Sequence, residues 1–87
     1  MIKGKTESGF EYSIPRESLN NYELVENIAE LEEKPLLITS IVKQLLGEEQ
    51  AKNLKEHVRK DGIVSIDRMS EEIINIFKNS GTETKNS

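Results

Sequence analysis

The spacing of apolar residues changes at Pro15, and this change limits the possible folds more than any other feature of the sequence. Before Pro15, Phe10, Tyr12 and Ile14 alternate with polar residues, which is the period of a strand with one buried face. After it, apolar residues recur every three or four positions, as they do in amphipathic helices. The sequence therefore predicts an α+β fold that is mainly α.

Turn residues, prolines and glycines divide the chain into predicted strands and helices. The turn Glu7-Ser8-Gly9 predicts a β-hairpin over residues 2–14, which ends at Pro15 because proline has no amide hydrogen for a strand ladder. A compact four-helix domain is expected to follow, with helices at about 20–33, 35–46, 48–60 and 65–78, bounded by Pro35, Gly47 and Asp61-Gly62. These elements form a single domain, 1–77, and the polar segment 78–87 predicts a flexible, disordered C-terminal tail.

The amount of apolar surface on the predicted helices bears on function. Leu, Ile, Val and Phe make up 24 of 87 residues, enough for a small folded core. The first, second and fourth helices carry apolar arcs wider than the roughly 100° that a surface helix needs. Either these helices cover one another completely, or part of their surface binds another chain. The candidate protein-binding residues, which supply core and groove between them, are Leu37, Ile41, Val42, Leu45, Ile73 and Phe77.

Several kinds of chemistry lack the residues they need. The chain has no cysteine and a single histidine, His57, which stands at no recognisable spacing from a serine or aspartate partner. Pairs of adjacent glutamates, such as Glu48-Glu49, are expected to point into water and not to form a catalytic acid and base. The five glycines of the chain are too scattered for a phosphate-binding loop. We therefore expect no enzyme activity, no catalytic residues, no cofactor and no metal.

The charge distribution argues against nucleic acid as the partner. The net charge is −4, and only the segment 34–60 is mildly basic. A helix-turn-helix interpretation of residues 38–60 is weak, because Glu48 and Glu49 would lie where base edges are read and would repel phosphate. No apolar run is long enough to span a membrane, so we expect a protein of the reducing cytoplasm with no membrane partner.

The order of the segments carries a family resemblance. The relevant segments are the hairpin 3–12, the helix start Asn21-Tyr22-Glu23-Leu24, the helix start Pro35-Leu36-Leu37, the junction Leu46-Gly47-Glu48-Glu49-Gln50 and the closing Met69-Ser70-Glu71-Glu72-Ile73. Together, over about residues 1–77, they resemble the small tail assembly chaperones of long-tailed, siphovirus-type phages and prophages of Gram-positive bacteria.

The resemblance implies a non-enzymatic chaperone that binds the tape measure protein and helps recruit tail tube subunits during tail morphogenesis. It places the protein in the cytoplasm of the bacterial host and not in the mature virion. A homo-oligomer is expected, since many copies would line one long client. The alternative is a small phage-encoded regulatory module that binds protein or, with less support, DNA.

Overall fold

A computed structural model describes the backbone of residues 1–85 and the side chains of residues 1–80. Within that part of the chain, two strands, β1 (Ile2–Lys5) and β2 (Glu11–Ile14), precede three α-helices. The helices are α1 (Tyr22–Ala29), α2 (Ile38–Val58) and α3 (Ile66–Lys85), and short 3₁₀ turns at Arg16–Asn20 and Pro35–Leu37 lead into the first two. The mainly helical fold with an N-terminal hairpin is confirmed, whereas the predicted number of four helices is wrong.

The hairpin forms as its alternation predicts. β1 and β2 pair antiparallel, with Ile2 opposite Ile14 and Gly4 opposite Tyr12. The turn closes because the Thr6 amide donates to the Phe10 carbonyl at 2.9 Å and Gly9 adopts a φ of 96°. The apolar side chains of this period-two pattern are buried, so one face of the hairpin joins the core.

The helix count differs because the helical segments on either side of Gly47 follow one another across a kink of a single residue and count as one element. The segments predicted as 35–46 and 48–60 form one element, α2, whose backbone is non-helical only at Gly47, with φ 81° and ψ 168°. These angles lie in a region that glycine alone occupies readily, so one residue turns the chain and helical structure resumes at once. We call residues 38–46 and 48–58 the first and second limbs of α2.

The ends of α1 and α3 also differ from prediction. α1 begins where the Asn21 side chain accepts a hydrogen bond from the Leu24 amide, but it ends at Ala29 and continues as turns, short of the predicted 33. α3 runs to Lys85, beyond the predicted 78. Asn79 donates to the Lys5 carbonyl and Ser80 is buried, so 78–80 belong to the packed helix. The rest of the predicted tail, which includes residues 86 and 87 outside the described part, stays a prediction.

α2 lies at the centre of the domain and contacts α1, α3 and β2. One side chain on its second limb, Gln50, attaches the hairpin to the helix. Gln50 Oε1 accepts from the Ser13 amide at 2.8 Å, while Nε2 donates to the Ser13 carbonyl at 2.7 Å and the Leu46 carbonyl at 2.9 Å. The side-chain amide thus satisfies both backbone groups of a strand residue, as a further strand would.

None of the helices in the described residues is long and apolar enough to cross a membrane.

Candidate protein-binding cleft

An apolar cleft lies between the two limbs of α2 and the beginning of α3. Its volume is about 320 Å³, at the lower end of the range for ligand pockets. Its lining consists of six apolar residues, one threonine and two lysines: Ile38, Val42, Ala51, Val64, Ile66, Met69, Thr39, Lys43 and Lys55. We call this site the α2–α3 cleft.

Local sequence explains how the chain builds the α2–α3 cleft. The turn at Gly47 allows Val42 from the first limb and Ala51 from the second to line the same space. Alanine is small, so its position fills little of that space. Met69, which is buried, contributes from α3, whereas Ile66 at the helix start is 49% exposed and accessible to a partner. The cleft therefore combines buried apolar side chains with an open apolar edge.

Both charged residues that line the cleft are lysines. Lys43 and Lys55 are exposed, and they make no ion pair within the described part of the chain, where the pairs are Lys34–Glu30 at 3.5 Å and Arg59–Glu56 at 2.9 Å. An apolar surface flanked by cations complements an amphipathic segment that carries carboxylates beside its apolar contact residues. The site has the chemistry of a protein-binding surface.

The predicted binding residues are distributed unevenly around this site. Val42 lines the cleft, whereas Ile41, Leu45 and Ile73 are fully buried in the core and cannot contact a partner unless the domain opens. The two others, Leu37 and Phe77, are half-buried and do not line it. The structure therefore brings one of the six predicted residues to the candidate site.

Sequence reasoning missed the α3 side of the cleft. Val64 lies in the short connection between α2 and α3, outside any helical period, whereas Ile66 begins α3 and shares its apolar arc with Met69 and Ile73. The available signal was the run Ile63-Val64-Ser65-Ile66, three apolar residues in and directly after a connection that would ordinarily be polar. Ile63 itself is 68% exposed but does not line the cleft.

A polar cluster joins the tip of the hairpin to α2 and α3. The hydroxyls of Thr6 and Ser8 each donate to one oxygen of the Glu72 carboxylate at 2.8 Å. Ser8 Oγ also lies 3.0 Å from His57 Nε2, and the His57 ring contacts Phe10 with ring centroids 5.5 Å apart. His57 and Glu72, which are 49 and 64 positions from Ser8 in the sequence, thus both contact the Ser8 hydroxyl. The spacing of these residues in the sequence did not reveal this cluster.

The direction of these hydrogen bonds determines what the cluster can do. A serine nucleophile must donate its proton to the base, so the histidine nitrogen would have to accept from Ser8. Here the Ser8 hydroxyl donates its hydrogen to Glu72, and His57 Nε2 lies 3.0 Å from the same Ser8 oxygen. Glu72 therefore contacts the serine and not the histidine that it would orient in a triad. The arrangement fixes the hairpin tip to the helices.

The same cluster borders a polar recess of about 590 Å³. Several of its polar groups already bind one another or the backbone; for example, the Glu7 amide donates to Asn75 Oδ1 at 2.8 Å. No three side chains of the metal-ligating types are grouped for metal binding within the described residues. Although this recess is the larger cavity, the α2–α3 cleft is the better candidate because its lining is mostly apolar and includes the exposed side chain of Ile66.

The carboxyl of Glu56 follows directly after Lys55, one of the two lysines that line the cleft. The pKa of Glu56 is lowered from its ordinary value of 4.5 by the hydrogen bond from Arg59 and, next, by the Arg59 charge. The Arg59 guanidinium donates to Glu56 Oε2 through both Nε, at 3.2 Å, and an Nη, at 2.9 Å. Glu56 thus interacts most strongly with Arg59, and the charges of Lys55 and Lys52 lower its pKa further.

Comparison with protein-family models, curated proteins and solved structures finds no significant match to this chain.

Proposed function

We propose that this protein is a non-enzymatic tail assembly chaperone of a phage or prophage, which binds the tape measure protein and helps recruit tail tube subunits during tail morphogenesis. The observation that carries the proposal is the α2–α3 cleft, an apolar site whose charged lining residues are both lysines. A helical client presents apolar residues along one face, and such a face docks into an apolar groove through spaced contact residues. The resemblance over residues 1–77 supplies the identity of the client.

The properties of the cleft suit transient binding. Its volume accommodates only a few side chains at a time, so one contact buries little area and remains weak. A chaperone that must leave before the tail is complete needs such weak, repeated contacts along its client. Many weak contacts act together through effective concentration, and they are released when tube subunits compete for the client.

The alternative of a phage regulatory module shares the protein-binding surface and differs in the client. Its DNA-binding form has little support, because Glu48 and Glu49 are exposed at the start of the second limb of α2, where they would repel phosphate. Binding to a DNA fragment that weakens steeply as salt rises would favour this alternative over the chaperone.

Co-expression with the tape measure protein encoded in the same phage or prophage tests the proposal. Wild-type protein should increase the fraction of tape measure protein that remains soluble, and the two should co-purify. Ile66→Glu should remove this effect for two reasons. The variant forfeits about 1 kcal/mol of apolar burial, and its carboxylate repels the carboxylates that lie beside the apolar face of the client. Both terms together predict roughly tenfold to hundredfold weaker binding.

Ile63→Glu is the matched control, since Ile63 is an equally large, exposed residue three positions away that does not line the cleft. It should behave as wild type. A tape measure protein whose solubility is unchanged by the wild-type chain would overturn the proposed function. Equal loss with both variants would remove the cleft as the binding site.

A further inference from the structure

We infer that α1 carries a second binding surface, which takes a basic amphipathic segment of another protein. This inference goes beyond the proposed function, because it concerns a different part of the molecule and a ligand of opposite charge. It depends on three features of α1: an uncovered apolar face, carboxylates beside that face, and separation from the α2–α3 cleft.

The first feature is an uncovered apolar stripe. Leu24 is buried in the core, whereas Tyr22 is 75% exposed, Val25 is 37% exposed and Ala29 is also exposed. Positions 22, 25 and 29 are three and four residues apart, so they lie along one side of the helix. We call these three residues the α1 stripe. Tyr22 is the residue of the stripe best suited to bind a partner, because tyrosine combines a large apolar ring with a hydroxyl and is enriched in protein interfaces.

The second feature is negative charge beside the stripe. Residues 17–33, which contain α1, hold no lysine or arginine. The glutamates of this segment are Glu17, Glu23, Glu26, Glu30, Glu32 and Glu33. Glu26 lies four positions after Tyr22, so it borders the stripe on the helix surface. Within the described residues, Glu23 and Glu26 are exposed and form no ion pair.

These two features together define the chemistry of the partner. Exposed carboxylates around an apolar stripe attract a segment in which lysines or arginines flank apolar residues, and they repel acidic segments and phosphate groups. The apolar contact supplies affinity, while the charges select the partner and fix its orientation. One eight-residue helix buries little area, so we expect weak binding at low salt, with a Kd of about 10 µM to 1 mM.

The third feature is separation from the α2–α3 cleft. None of the described residues that line the cleft belongs to α1, and both charged residues of that lining are lysines. The chain therefore has one apolar surface with cations beside it and another with carboxylates beside it, and each favours a ligand that the other repels. A protein with two such surfaces can hold two different protein segments at the same time, as an adaptor does.

An NMR titration with a designed peptide tests the inference. The probe is a helical peptide with leucines at alternating spacings of three and four residues and lysines beside them, and its counterpart carries glutamate in place of each lysine. Added to isotope-labelled protein, the lysine peptide should shift the amide signals of Tyr22, Val25 and Ala29 saturably and leave those of Val42 and Ile66 unchanged. The glutamate peptide should leave the three α1 signals unchanged.

Two variants separate the apolar from the charged contribution. Tyr22→Ala should weaken binding of the lysine peptide about tenfold. Leu36→Ala is its control, because Leu36 is 76% exposed and lies outside α1, and it should bind as wild type does. Glu26→Lys should weaken binding about threefold to tenfold at low salt. Glu71→Lys makes the same change in net charge at an exposed position on α3 and should have a smaller effect.

All of these positions are exposed, so the variants should retain the wild-type far-UV CD spectrum. If Tyr22→Ala unfolds the chain, Val25→Ala takes its place, because alanine favours the helix more than valine does. The lysine peptide should bind Ile66→Glu as it binds wild type, since that variant alters only the cleft. Failure of this experiment therefore leaves the solubility assay with the tape measure protein unaffected, and failure of that assay leaves the peptide result standing.

Four results would overturn the inference. The first two are a lysine peptide that does not bind up to about 1 mM and shifts that are confined to residues outside α1. The third is Tyr22→Ala binding as tightly as wild type. The fourth is equal loss in Glu26→Lys and Glu71→Lys, which would indicate nonspecific attraction to the net charge. Shifts of the α1 signals with protein concentration alone would identify a second copy as the occupant and would equally overturn the inference.

Discussion

The turn at Gly47 shapes the cleft, and replacing it with alanine tests that link. Its angles, φ 81° and ψ 168°, lie in a region that other residues occupy at a cost of about 1–3 kcal/mol. A Cβ atom at this position would meet no atom within 4 Å, so the cost arises from the backbone and not from crowding. We therefore expect Gly47→Ala to lower the free energy of unfolding by about 1–3 kcal/mol.

The chain has one way to avoid that cost. A continuous helix through position 47 would gain about 1 kcal/mol of helix propensity from alanine. It would also separate the first and second limbs of α2, so that Val42 and Ala51 would no longer line one cleft. Both outcomes weaken client binding, the first through stability and the second through geometry.

Urea unfolding followed by far-UV CD measures the change, and a rise in helical signal identifies a straightened helix. Gly9→Ala is the control, because Gly9 has a φ of 96° and equally open surroundings but lies at the hairpin tip. Gly9→Ala should also lower the free energy of unfolding, but the folded variant should bind the client as wild type does. A Gly47→Ala protein with wild-type stability, wild-type CD and wild-type binding would refute the reasoning.

Three further predictions concern single contacts. Gly4→Ala should destabilise by about 1–3 kcal/mol in urea unfolding, because its Cβ would lie 2.7 Å from Cζ of the buried Tyr12. Gln50→Glu should cost a similar amount, about 1–3 kcal/mol, since it removes two hydrogen bonds donated to backbone carbonyls. Arg59→Gln should raise the pKa of Glu56 toward 4.5 in an NMR titration. A carboxyl with a lowered folded pKa stabilises above its unfolded pKa and loses that contribution as pH falls, so this variant's stability deficit should vanish in acid.

The Gln50→Glu prediction has a matched control variant. Gln44→Glu adds the same charge at an exposed position on the first limb of α2 and should leave stability nearly unchanged. In Gly4→Ala and Gln50→Glu, hydrogen exchange should accelerate more at the amides of the hairpin than at those of α3. An unchanged Glu56 titration in Arg59→Gln would contradict the described hydrogen bonds.

Local sequence predicts the fold where a single rule decides the outcome. The hairpin could be predicted because alternation, a turn and Pro15 agree with one another. The number of helices could not, because a glycine between two helical segments is compatible with both a loop and a one-residue kink. The choice depends on the backbone angles of Gly47, which residue identity alone does not determine.

The binding surface was only partly predictable, for a different reason. Helical periodicity identifies an apolar face but not the neighbour that covers it. The faces around Ile41 and Ile73 are covered by the core, whereas the face of α1 that contains Tyr22 is only half covered. The exposed apolar side chains of α1 and α3 are Tyr22 and Val25 on α1 and Ile66 at the start of α3. Contacts between distant residues, such as Ser8 with His57, lie beyond any local pattern.

Methyl NMR of the folded protein tests the central claim most directly. Amphipathic peptides from the tape measure protein, with carboxylates beside their apolar residues, are titrated into protein labelled at Ile, Val and Met methyl groups. We expect saturable chemical-shift changes at Val42, Val64, Ile66 and Met69 and little change at Ile63. Peptides that shift none of these methyl groups, or that shift only residues at the hairpin tip, would contradict it.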